Sequence, residues 1–266
     1  MNRIIVVAIF TGTIHMVDTL SYSVRLAGIK TKRLAMAISL FNIIVLISRT
    51  ANMIQAPLLG SIVDNAINMQ NTLALLGQFR WIILSATIGS ILGALLLPSF
   101  VSLFAKGIIT LEKTGSILQL IGTIIFQRPT EKIKRNLKKP KLSMLKTLTL
   151  NKIPSTFLIL NLIITSISTI GVLAAIYAGA IVPEYRITAS QLSGIINGGA
   201  TILLALVVDP QAAIITDQTL QGKRLEQEAK TMVAFLVGGK ILGTILSQFI
   251  FVGAAEIVVL ITKMIA

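Results

Sequence analysis

Cysteine is absent from this chain, which excludes disulfides, thiolate metal sites and a cysteine nucleophile. Histidine is nearly absent too: the single His15 cannot build a multi-histidine metal centre. Charge is scarce, at 13% of residues, against about 25% in soluble domains. Enzyme signatures are also missing. There is no Gly-rich loop ending in Lys-Ser/Thr, no HExxH and no GxSxG. Nothing in the sequence therefore points to nucleotide hydrolysis or enzyme chemistry, and no metal or cofactor is implied. Any transport by such a chain is passive, gradient-driven or coupled through another protein.

What fills the chain instead is apolar sequence. Hydrophobic residues make up 54% of 266, and the mean hydropathy is +0.86. Six stretches are long enough to span the hydrocarbon core, which takes about 20 residues: 4–24, 34–62, 81–105, 153–182, 188–208 and 231–262. The fold class expected is all-α, a polytopic integral membrane bundle of about six transmembrane helices with interfacial or cytoplasmic helices, in one membrane domain. The first stretch has only Arg3 ahead of its apolar run, and its basic cluster follows it. That order is the reverse of a cleaved signal, so the stretch is expected to remain as a helix.

The connections differ sharply in charge. Arg25, Lys30, Lys32 and Arg33 follow span one, and Arg80 alone follows span two. Eleven Lys and Arg residues lie in 106–152, Arg186 stands alone after span four, and Lys223, Arg224 and Lys230 follow span five. This alternation predicts cytoplasmic odd-numbered connections and both termini outside. The net charge of +14 is then a topology signal and an attraction to anionic lipid headgroups; no nucleic-acid partner is expected.

Residues 107–126 are apolar but interrupted by Glu112 and Lys113, and read as an interfacial, re-entrant or cytoplasmic helix. The linker 127–152, with Pro129 and Pro140, separates two groups of three spans of opposite orientation, the layout of an inverted repeat. The segment 209–230 reads as a short amphipathic helix with a turn.

Ionisable residues inside apolar spans are costly and normally pair or line a polar path. His15 and Asp18 share a helix face, as do Asn42, Arg49, Asn52 and Gln55. Short loops make successive spans neighbours, so Asp18 is expected beside Arg49. Two readings follow: a polar cavity offering Arg49 to an anionic headgroup, or a buried Asp–Arg pair that only locks two helices. Leu46 and Ile47 should then face lipid or packed neighbours. Lys240 lies a third of the way into the last span and either faces the same cavity or snorkels to the cytoplasmic surface. Glu256, about 24 Å further along the helix, is out of its reach. Asp64 and Arg80 bound the second connection and are expected to be solvated. Gly89-x-x-x-Gly93, Gly194-x-x-x-Gly198 and Gly239-x-x-x-Gly243 are candidate close-packing faces that also leave homo-oligomerisation open, and Asn197 could bond across helices or line a cavity. Pro57 and Pro98 are expected to distort the ends of their spans.

The segment HMVDTLSYSVRLAGIKTKRLAMAISLFNIIVLISRTANMIQAPLLGSIVD, residues 15–64, resembles the Amj family of bacterial lipid II flippases, alternates to MurJ. The length, the six-span hydropathy and the long basic central connection are similar as well. The resemblance implies a multi-pass protein of the bacterial cytoplasmic membrane. It implies movement of lipid II, an undecaprenyl-diphosphate-linked disaccharide-pentapeptide, or a related polyprenyl-diphosphate lipid, from the inner to the outer leaflet. The residues themselves nominate the substrate contacts: Arg25, Arg49 and Lys240 as cations, His15 and Asp18 as tuning or proton-carrying groups, and Asn42 and Asn52 as amide partners. The same inventory suits a proton-coupled carrier of a small anionic solute. A non-transporting membrane scaffold is the third reading. A lateral opening for a lipid tail separates the flippase from the carrier, which would have a closed central pocket.

Overall fold

The structure, a computed structural model, describes residues 3–116, 119 and 153–266. The linker 127–152 and most of 117–126 lie outside the described residues. Within them the chain is all-α, with helices α1 (Arg3–Ser21), α2 (Ser23–Thr31), α3 (Leu34–Asn68), α4 (Leu73–Thr114), α5 (Ser155–Ile181), α6 (Arg186–Leu203), α7 (Asp209–Leu220) and α8 (Glu226–Ile265). A 3-10 turn, Pro183–Tyr185, precedes α6, and a π segment, Leu204–Val208, joins α6 to α7. Together they form six helical spans long and apolar enough to cross a membrane, α1–α2 and α6–α7 each counting as one.

Local chemistry explains the breaks. At Tyr22 the hydroxyls of Ser21 and Ser23 donate back to the Asp18 and Leu20 carbonyls, both at 2.6 Å, and the ladder tightens from i−4 to i−3. Such back-bonding competes with regular helix and bends it. Lys32, at φ 57, ends α2 in the left-handed conformation. Pro57 and Pro98 lie well inside α3 and α4 rather than near their ends, because both helices run longer than expected. The second connection shrinks to 69–72 accordingly. Residues 107–114 simply continue α4: Glu112 pairs with Arg33 at 2.6 Å, which neutralises the charge that seemed to interrupt the segment.

Two groups of helices emerge. In the first, α1 packs tightly on α4 and also on α3; in the second, α5 packs on both α8 and α6. Gly89 lets the α4 backbone touch that of α1 at Gly12, and a side chain at Gly93 would run into Thr19 and Met16. Gly239 and Gly243 do the same for α8 against Asn161 and Thr165 of α5. Gly194 and Gly198 behave otherwise: nothing lies near them, so this face of α6 packs on no other described residue.

The groups share one core at the end that holds 69–72 and 182–186. There Val7, Leu59, Ile62, Phe79 and Ile83 meet Ile170, Leu173 and Phe251. Phe79 stands edge-on to Tyr177 and to Phe251, at 5.8 and 6.0 Å. At the opposite end there are two cores: Val24, Ala27, Leu40, Ile108 and Leu111 within the first group, and Phe157, Ile215, Met232 and Leu236 of the second, on which Tyr22, Leu26, Ala94 and Leu97 of the first group also pack.

Candidate functional site

The line between the two groups is where the polar residues gather. Among the described residues, three ion pairs cross it. Lys240 of α8 holds Asp18 of α1 at 3.1 Å, in the middle of the molecule. Arg25 of α2 holds Asp209 of α7 at 2.7 Å, with its guanidinium 5.3 Å from the Phe41 ring centre. Arg186 of α6 holds Asp64 of α3 at 3.1 Å at the shared-core end. Asp64 is thus exposed as expected, but paired.

The partner of Asp18 corrects the expectation of an Asp18–Arg49 pair. α1 and α3 are neighbours, as their short connection requires, but the Asp18 carboxylate turns to α8. No carboxylate among the described residues pairs with Arg49. Lys240 does not snorkel; it is 8% exposed and spends its charge on Asp18.

Around this central pair lie two joined cavities. One, of 130 Å³, is lined by Thr11, His15, Asp18, Asn52, Gln55, Ser168, Asn197 and Lys240, among others. The other, of 170 Å³, is lined by Asp18, Tyr22, Ser48, Arg49, Asn52, Ser168, Thr201 and Lys240, among others. Asp18, Asn52, Ser168 and Lys240 line both. A third cavity of 210 Å³ adjoins at Phe41 and Asp209 and holds Arg25 and Asn42. A fourth, of 390 Å³, adjoins at Val172 and is lined by Asp64 and Arg186. The four make a broken crevice along α3, facing α5 and α6.

Among the described residues, one flank of the crevice is unpacked. The backbones of α3 and α6 do not pack on each other, although both are packed on α5. Arg49 and Asn52 on α3 and Thr201 on α6 are exposed along this seam. Leu46 and Ile47, at 62% and 58% exposed, point outward from the bundle. The structure therefore brings His15, Asp18, Arg49, Asn52 and Lys240 to one place, and Arg25 and Asn42 to the adjoining cavity.

Several lining residues were not nominated from the sequence. Asp209 opens the segment read as a short amphipathic helix, and does start α7, but its carboxylate pairs with Arg25 directly after the π segment; π segments in helices often mark functional positions. Ser168 and Thr201 give no signal in isolation, since single hydroxyl residues are common in apolar helices. Asn197 lines the small cavity, one of the two roles open to it.

Comparison with known proteins follows the same line. The chain matches the family described as Amj, Alternate to MurJ, over residues 10–262. It is 39% identical over 264 residues to the "Lipid II flippase Amj" of Bacillus subtilis (strain 168), covering 98% of this chain and 97% of that protein. No solved structure matches. With six membrane-length helices and a match over nearly its full length, the chain belongs to the Amj, alternate to MurJ, family.

Proposed function

We propose that this protein moves lipid II, or a closely related polyprenyl-diphosphate lipid, from the inner to the outer leaflet of the cytoplasmic membrane. The observation that carries the reading is the cation-bearing crevice with an unpacked flank: Lys240 and Arg49 line one cavity, and the seam between α3 and α6 runs beside it. The family relationship supports the same substrate.

The chemistry fits the geometry. The headgroup of such a lipid cannot cross hydrocarbon, whereas its prenyl chain is at home there. A crevice open to one side lets the two parts travel in different media. The diphosphate would meet Arg49, whose planar fork suits phosphate oxygens, and Lys240, which Asp18 occupies when no substrate is bound. Asp18 acts as the resident anion, so Lys240 is never left as an uncompensated charge, which in a buried pair costs about 3–5 kcal/mol. Arg25 and Asn42 would form the first station on the cytoplasmic side. The unpacked flank favours this reading over a carrier of small solutes.

The test uses cells in which this protein is the sole lipid II transporter, and measures lipid II accessible to an impermeant reagent added outside. Arg49→Ala is expected to abolish the signal with membrane insertion intact, and Arg49→Lys to retain little of it. Undiminished accessibility with Arg49→Ala combined with Lys240→Gln would overturn the proposal.

A further inference from the structure

Three buried polar atoms of residues that line the 130 Å³ cavity have no hydrogen-bond partner among the described residues: His15 Nδ1, Gln55 Oε1 and Asn197 Oδ1. Gln55 is 6% exposed. Its amide nitrogen donates to Thr11 Oγ1 at 2.5 Å, and Thr11 in turn donates to the Val7 carbonyl at 2.9 Å. That leaves the Gln55 carbonyl oxygen unused; the Asn197 carbonyl oxygen, whose residue lines the same cavity, is also unused and lies against Gly171 of α5. Amide oxygens only accept, and buried ones left unmet are costly. Whatever meets these two oxygens must bring donors, while His15 Nδ1 takes a donor or an acceptor according to its tautomer.

Charge decides what kind of donor. The Asp18 carboxylate on this lining is already held by Lys240, and Arg49 in the next cavity leaves the surroundings net positive, so a free cation is disfavoured. An anion carries acceptors and leaves the oxygens unmet. A neutral group rich in hydroxyl and amide N–H donors answers both demands, and the volume accommodates several waters or one sugar ring. The cavity also shares Asp18, Asn52 and Lys240 with the one that holds Arg49. Hydroxyl-reading and phosphate-reading regions are thus side by side, as a sugar and a diphosphate are in a glycosyl diphosphate.

Resting on the flippase reading, we infer that this cavity is a saccharide subsite. The Gln55 and Asn197 carbonyl oxygens accept from the sugar attached to the diphosphate and discriminate a glycosylated polyprenyl diphosphate from a bare one. They are specificity-determining residues, whereas Arg49 and Lys240 hold the charge common to both lipids.

The experiment measures binding of two probes, lipid II and undecaprenyl diphosphate, to the purified full-length protein. The wild type is expected to prefer lipid II. Gln55→Met and Asn197→Leu are each expected to lose about tenfold in lipid II affinity, the scale of one buried hydrogen bond, and nothing for undecaprenyl diphosphate. Retained undecaprenyl diphosphate binding also shows that each variant is folded. Equal losses for both lipids, or no loss for either, would overturn the subsite while leaving the flippase reading standing. Failure of the wild type to bind either lipid would overturn both.

Discussion

Lys240 shows how differently a charge reads in sequence and in space. In the sequence it is a lone cation in a long apolar span; its partner Asp18 is 222 residues away. Helix periodicity put His15 with Asp18, and Asn42, Arg49, Asn52 and Gln55 on one stripe, because those relations are local. It could not tell which stripe each would face. The nearest available cation, Arg49, was the natural guess, and the carboxylate chose Lys240 instead. The pair is itself open to two explanations, and they separate experimentally. Lys240→Gln leaves the half-buried Asp18 without a partner and is expected to lower Tm and abolish transport. Asp18→Asn combined with Lys240→Gln removes both charges, so Tm is expected to recover while transport stays lost, since the diphosphate has no cation at that point. Transport regained together with Tm in the double variant would make the pair a lock between helices and nothing more.

At the scale of elements, hydropathy located all six spans, because about 20 consecutive apolar residues have few alternatives to crossing. Their ends were harder to read. Glu112 seemed to interrupt the apolar segment that follows the third span, but it lies in α4 and pairs with Arg33, and a sequence scan cannot see that salt bridge. The glycine pairs were read by the same local rule and divided by tertiary context. Two of the three are closed by a neighbouring helix, and Gly194/Gly198 is not. The direction of the spans is an expectation from charge: eleven basic residues in 106–152 predict a cytoplasmic connection and both termini outside. The absence of cysteine makes this directly measurable, since each introduced thiol is the only one present. A cysteine in place of Asn136 is expected to resist an impermeant thiol reagent added to intact cells, while one at Ala266 reacts. Labelling of position 136 from outside would reverse the orientation, and with it the order of stations along the crevice.

For the whole molecule, the two groups of helices share one core at the end bearing Asp64 and Arg186, and divide into two cores at the other, where Tyr22, Leu26, Ala94 and Leu97 of the first group still pack on the second group's core. On the orientation expected from charge, the shared-core end faces outside, closed by the Phe79–Tyr177–Phe251 cluster and tied by Asp64–Arg186 across the α3–α6 seam, while Arg25–Asp209 ties the two groups toward the cytoplasmic end. Delivery to the outer leaflet requires that end to open. An exposed ion pair contributes only about 0–1 kcal/mol, so this one is weak enough to break in every cycle, and the aromatic core supplies most of what holds the end shut. The pairing of these two residues across 122 positions was not legible in the sequence, which shows only an acid and a base flanking connections. A covalent tie in the same place is the direct test. With Asp64→Cys and Arg186→Cys combined, a short bifunctional thiol reagent is expected to abolish external accessibility of lipid II, and a reductant that cleaves the linker to restore it. Each single variant, treated identically, should keep most of its transport, because losing the weak pair alone leaves the aromatic seal able to open and close. Full transport by completely cross-linked protein would mean that the outer ends of α3 and α6 do not separate, and that the headgroup leaves by another route.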